Sequence, residues 1–137
     1  MKEKNHQNCP LTQALLVVGG KWKPIIISHL NKSPKRFGQL NALIPKISRK
    51  VLTTQLKELV RDELLTRHSY PETPPRVEYR LTEKSKELLP IFRSLSEWGV
   101  YLIEENIIKD KFFKVDEGNF SFTSIQCTIT ISFKLSS

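Results

Sequence analysis

Between Ile47 and Leu81 the apolar residues of this chain change period, and that change limits what the chain can fold into. In "ISRKVLTTQLKELVRDELL" Leu52, Leu56 and Leu59 recur at the spacing of one face of an α-helix. In "RVEYRL" Val77, Tyr79 and Leu81 alternate with Arg76, Glu78 and Arg80, the repeat of a half-buried strand. "LLTRHSY" supplies a partner strand, and "PETPP" between the two is too rich in proline for anything but a loop. A polar-faced helix running directly into a two-stranded hairpin is a narrow architectural choice.

Three shorter helices are expected upstream. In "CPLTQALLVVGG", Cys9 stands at the N-cap and Pro10 at the first helical position, where its missing N–H costs nothing; Gly19 and Gly20 form the stop. "KWKPIIISHLNK" puts Pro24 in a first turn, where a helix tolerates it, with Trp22, Ile25, Ile26 and Leu30 as an apolar stripe. "SPKRFGQLNALIP" carries Phe37, Leu40, Leu43 and Ile44 at helical spacing and ends at Pro45. Ser48 then caps the fourth helix.

Downstream of the hairpin, Thr82 is an N-cap candidate for a long helix reaching about Asn106. Leu88, Phe92, Leu95, Gly99 and Leu102 lie along one side of it, and Ile91, Trp98 and Tyr101 widen the apolar surface. Pro90 should kink this helix or mark a late start. The fold class expected is mostly α with a small β-hairpin wing, a winged helix-turn-helix, over residues 1–108. In the tail, 109–137, Ile125, Cys127, Ile129, Ile131, Phe133 and Leu135 alternate with polar residues, which predicts an extra C-terminal strand to which no role attaches.

The candidate functional surface is the face of the fourth helix opposite its leucines, set against the plainer reading of a merely solvated polar face. At about 100° per residue, Lys50, Thr53, Thr54, Lys57 and Arg61 cluster there, with Arg49 at the entry edge and Gln55 on a flank. Such a helix fits the major groove, with cations for phosphates and threonines for base edges. Lys32, Lys35 and Arg36 at the entry to the third helix, Lys46 and Ser48 before the fourth, and Arg76 just past the wing loop would flank the same surface. A formal net charge of +8 suits an anionic partner, expected to be double-stranded DNA. The rival is a winged-helix protein-interaction module that docks its basic face on an acidic protein.

Other chemistry finds little footing. The chain has no GxGxxG, Walker lysine loop, HExxH or CxxC, and His6, His29 and His68 are scattered, so neither an enzyme nor a metal site is expected, and no cofactor. Two cysteines cannot build a disulfide framework, and no apolar run reaches membrane-spanning length. With no signal-peptide pattern in "MKEKNHQNCPLTQ", the expected location is cytoplasmic.

The motifs "GGKW", "ISRKVLTTQLKEL", "PPRVEYRLT" and the later "WG", in that order and spacing, resemble the HxlR-type winged helix-turn-helix regulators, relatives of the MarR group. The resemblance covers roughly Cys9 to Glu105. It implies a homodimeric transcription factor, paired through its first and last helices, whose recognition helix is Ser48–Arg61 and whose wing is "YPETPPRVEY". Leu11, Leu15, Leu88, Phe92, Leu95, Trp98 and Leu102 would then line the dimer interface, an expectation that the unusual apolar surface of the last helix supports independently. Ser85 departs from the glycine usual in the family, and near a helix N-terminus it should be harmless. Several such regulators also carry "CP" at this point, some as thiol sensors; Cys9 at an N-cap is accordingly a redox-sensing candidate, set against the plainer role of capping its helix.

Overall fold

The computed structural model describes residues 9–104. The tail strand with Cys127, and the end of the last helix near Asn106, lie outside the described residues. The element order is α1 (Pro10–Val18), α2 (Lys23–Leu30), α3 (Phe37–Leu43), α4 (Arg49–Arg61), β1 (Leu65–Tyr70), β2 (Arg76–Leu81), α5 (Glu83–Lys86) and α6 (Leu88–Glu104). The chain divides into two units, one up to Lys86 and one from Glu87 onward.

The first unit is built around the leucine face of α4. Leu52, Leu56 and Leu59 are buried together with Ile26, Ile27 and Leu30 of α2, Leu40 of α3, Ile44 just after it, and Leu64 and Leu65 at the entry to β1. On α2 the stripe is rotated from the one expected: Ile26 and Ile27 are fully buried, while Trp22 and Ile25 are half-exposed. The rotation draws two polar residues, Lys23 and Ser28, into the interior. The Ser28 hydroxyl donates to the Pro24 carbonyl at 2.8 Å, so its burial leaves no donor unpaired.

Helix α4 has the start that its sequence foretells: Ser48 Oγ accepts from the Val51 N–H at 3.1 Å. Its end rests on Glu63, which sits in the left-handed region (φ 60°) while the Leu64 N–H reaches back to the Leu59 carbonyl at 2.9 Å. Lys46 is left-handed too, and turns the chain between α3 and α4. The stop of α1 needs glycine for two reasons. A Cβ at Gly19 would meet the Leu15 carbonyl oxygen, and Gly20 adopts φ +91°.

β1 and β2 pair antiparallel from Leu65 opposite Leu81 to Tyr70 opposite Arg76. The other edge of β2 is not free. Tyr79 exchanges two backbone hydrogen bonds with Lys35, at 3.1 and 2.9 Å, which ties the entry of α3 to the wing. The alternation expected along β2 does not appear as one covered and one open face, since all six residues are half-buried. The polar side is covered by its own ion pairs. Glu78 lies 3.7 Å from Arg76 and 3.4 Å from Arg80, and Arg80 donates to the Tyr70 hydroxyl at 2.6 Å.

The helix expected from Thr82 is two helices. In an unbroken helix Pro90 would have no N–H for the carbonyl four residues back and its ring would crowd that carbonyl; the helical run stops at Lys86 and restarts at Leu88. Ser85 is fully buried, its hydroxyl donating to the Thr82 carbonyl at 2.9 Å, which shows why serine is accepted there. In the second unit, α6 exposes Ile91, Leu95, Trp98, Tyr101 and Ile103.

Candidate nucleic-acid interface

With its leucines buried, α4 turns a row of polar side chains outward. Arg49, Lys50, Thr53, Thr54 and Lys57 are exposed, and Gln55 is half-buried on the flank. Ion pairs among the described residues involve neither Lys50 nor Lys57, so both ammonium groups face solvent with their charge uncompensated by a nearby carboxylate. Arg61, at the far end, is different. Its guanidinium lies 3.0 Å from the Asp62 carboxylate, which holds the aspartate below the usual carboxylate range and spends much of the cation locally.

The N-terminal half of the row is fixed by α3. The Arg49 guanidinium stacks over the Phe37 ring at 5.1 Å from its centroid, a cation–π contact between the two helices. Phe37, Arg49, Lys50, Thr53 and Thr54 together line an open concavity of about 490 Å³. The threonine hydroxyls are already engaged: Thr53 donates to the Arg49 carbonyl at 2.8 Å and Thr54 to the Lys50 carbonyl at 3.0 Å.

Of the residues expected to flank this row, Arg36, Lys46 and Ser48 are exposed, and Lys35 is half-buried, its ammonium donating to Ser33 Oγ at 2.9 Å. Arg36 begins α3, where its N–H donates to the Gln39 side chain at 2.8 Å. Arg76 departs most from expectation. It lies 3.4 Å from the Glu72 carboxylate and 3.7 Å from that of Glu78, and stacks on the Tyr70 ring at 4.0 Å. A guanidinium so placed shapes the wing before it can neutralise a phosphate. Arg67 was not singled out in the sequence, yet it is exposed on β1 with its guanidinium bonded to Ser69 Oγ at 3.2 Å. A cation inside "LTRHSY" was the available signal, weakened because strand periodicity alone does not say which face stays open.

Away from this surface, Leu11, Leu15, Leu16 and Val17 of α1 are exposed, and α1 has no buried residue. Of the residues expected at a dimer interface, Leu11, Leu15, Leu95 and Trp98 are exposed, Leu88 and Leu102 half-buried, and Phe92 buried at 5% exposure. Cys9 is exposed at the N-cap of α1. As a thiol it makes no capping hydrogen bond. As a thiolate it gains the backbone and hydroxyl donors of Thr12 and the Leu11 N–H, which pull its pKa below the ordinary value. Among the described residues no group of His, Cys, Asp or Glu could hold a metal ion, and no helix is long and apolar enough to cross a membrane.

Comparison with known proteins agrees with this architecture. Residues 17–107 match the model of the HxlR-like helix-turn-helix family. An HTH-type transcriptional regulator of Halalkalibacterium halodurans, BH0655, is 49% identical over 100 residues, covering 72% of this chain and 88% of that protein. Among solved structures, the redox regulator HypR in its oxidized form superposes with a TM-score of 0.65 at 42% identity, over 68% of this chain and 96% of that one. The diamide-treated YodB of Bacillus subtilis superposes with a TM-score of 0.60 at 39% identity, over 70% of this chain and 96% of that one.

Proposed function

Because the chain belongs to the HxlR-like helix-turn-helix family of transcriptional regulators, we propose that it acts as a homodimer that reads a two-fold symmetric duplex, with α4 in the major groove and the wing on flanking backbone or minor groove. The observation that carries this reading is the exposed row Arg49, Lys50, Thr53, Thr54 and Lys57, opposite three buried leucines on one helix. Cations at the groove edge neutralise phosphate, and residues in the first turns of such a helix reach base edges. Arg36, Lys46 and Arg67 extend the cationic surface; Arg76 serves the wing through its glutamates and Tyr70. The exposed apolar residues of α1, and those of α6, are each candidate surfaces for pairing. A two-fold dimer that reads successive turns of B-form DNA needs its two copies of α4 about 34 Å apart.

The test is a selection of bound duplexes from a random pool, followed by titration at several salt concentrations. Specific binding should weaken steeply with salt and survive competitor DNA. Lys50→Ala should lower affinity about equally for all sequences and flatten the salt slope by about one unit. Should no duplex be enriched while an acidic protein binds the same face, the regulator would be reading protein and not DNA.

Cys9 supports a second element, control of binding by thiol oxidation or alkylation. Its exposure and its stabilised thiolate favour this role, and two of the similar structures are of regulators captured in oxidized or diamide-treated form. Diamide should release wild-type protein from its duplex and leave Cys9→Ser bound. Equal release of both would remove Cys9 from the mechanism.

A further inference from the structure

The row on α4 holds more than a distribution of charge, because the two threonines at its centre have spent their protons. A threonine hydroxyl carries one donor hydrogen, and here Thr53 gives it to the Arg49 carbonyl and Thr54 to the Lys50 carbonyl. Neither can donate to guanine O6 or N7, to adenine N7 or to thymine O4 without giving up that bond. What the two side chains still offer is oxygen lone pairs and γ-methyl groups. Beside them in the same concavity stands the half-buried ring of Phe37, with Arg49 stacked upon it.

Building on the assignment of α4 as recognition helix, we propose that Thr53 and Thr54, with Phe37, select thymine through its 5-methyl group, in an apolar slot rimmed by the cations of Arg49 and Lys50. In the major groove thymine alone among the four bases presents an apolar substituent, and its partner adenine presents an N6 amino donor that the threonine lone pairs can accept. An A·T pair thus matches both functions that the threonines retain. A G·C pair offers cytosine's amino donor but no methyl group, and its guanine acceptors find no free donor on either threonine.

The test uses the full chain and the duplex recovered from the random pool. Each thymine of the half-site is replaced singly by deoxyuridine, which deletes the methyl and keeps every hydrogen-bonding group, and affinity is read by fluorescence anisotropy at fixed salt. One or two thymines per half-site should show a loss of about fourfold, the worth of one buried methyl-sized group, and the others no change. Thr53→Ser and Thr54→Ser keep the hydroxyl and remove the methyl, so at least one should bring the thymine-to-deoxyuridine ratio to one at such a position. Thr→Val at the same sites keeps a methyl and should preserve the ratio. If deoxyuridine is neutral at every position, or if valine variants lose the ratio as serine variants do, methyl recognition is wrong although the chain still binds its duplex. If the pool yields no enriched duplex, recognition of DNA by α4 and methyl recognition fall together.

Discussion

The ammonium group of Lys23 lies 2.8 Å from the carboxylate of Glu58, and so joins the first turn of α2 to the last turn of α4. The same ammonium donates to the Val17 carbonyl at 3.2 Å, at the end of α1. One buried cation therefore holds three helices, the outward-facing α4 among them.

The two halves of this pair should not be equivalent. The lysine side chain is 8% exposed and the glutamate side chain 34%. Glu58→Ala strands an ammonium in the interior with one carbonyl for company. We expect it to cost about 2–3 kcal/mol, below the range for fully buried pairs because the glutamate is partly solvated. Lys23→Met lets the carboxylate turn to water and loses mainly the Val17 contact, about 1 kcal/mol. Urea denaturation of the two variants reads the difference, and equal losses would contradict the asymmetry.

The close of α4 offers a stabilising substitution. Glu63 holds φ 60°, and its carboxylate makes only a long ion pair with Lys84, at 3.9 Å, among the described residues. Glycine adopts the left-handed region without the Cβ clash, so Glu63→Gly should raise stability by about 0.5–1 kcal/mol despite the greater freedom it gives the unfolded chain. A lower melting temperature would mean that the backbone there is not strained.

His29 gives the fold a dependence on pH. Burial, and then the charge of Lys35, hold its pKa below the ordinary 6.5. Above pH 6.5 the imidazole is neutral in folded and unfolded chains alike and has no effect. As pH falls through 6.5 the unfolded chain takes up a proton that the folded chain resists, so stability declines until the folded pKa is passed. Melting temperatures measured from pH 7.5 to 5 should fall more for wild type than for His29→Gln. Parallel curves would show that this histidine does not contribute.

Thr12 should govern the reactivity of Cys9, since its backbone and hydroxyl donors are the largest stabilisers of the thiolate. Thr12→Val keeps the N–H and removes the hydroxyl. Alkylation by iodoacetamide near neutral pH should slow by a few-fold as the thiolate fraction falls. An unchanged rate would leave the backbone alone responsible.

Much of the fold is legible in the sequence alone. Leu52, Leu56 and Leu59 announce the buried face of α4, Ser48 its start, and the alternation from Arg76 to Leu81 the second wing strand, because periodicity and caps are local properties of a few successive residues. By complement, the same leucines say which side chains of α4 point away from the core. Tertiary structure decided what those side chains are free to do. Arg76 read as an open cation until the fold brought Glu72, Glu78 and Tyr70 around it. Nothing in the local pattern marks Lys23, and only the fold brings Glu58, thirty-five positions along the chain, within its reach. Lys35 joined the wing through Tyr79, and Arg49 was fixed by Phe37, by contacts between separate elements. Charge and hydrogen-bonding capacity are written in the sequence, but whether they remain available depends on which distant groups the packed backbone sets beside them.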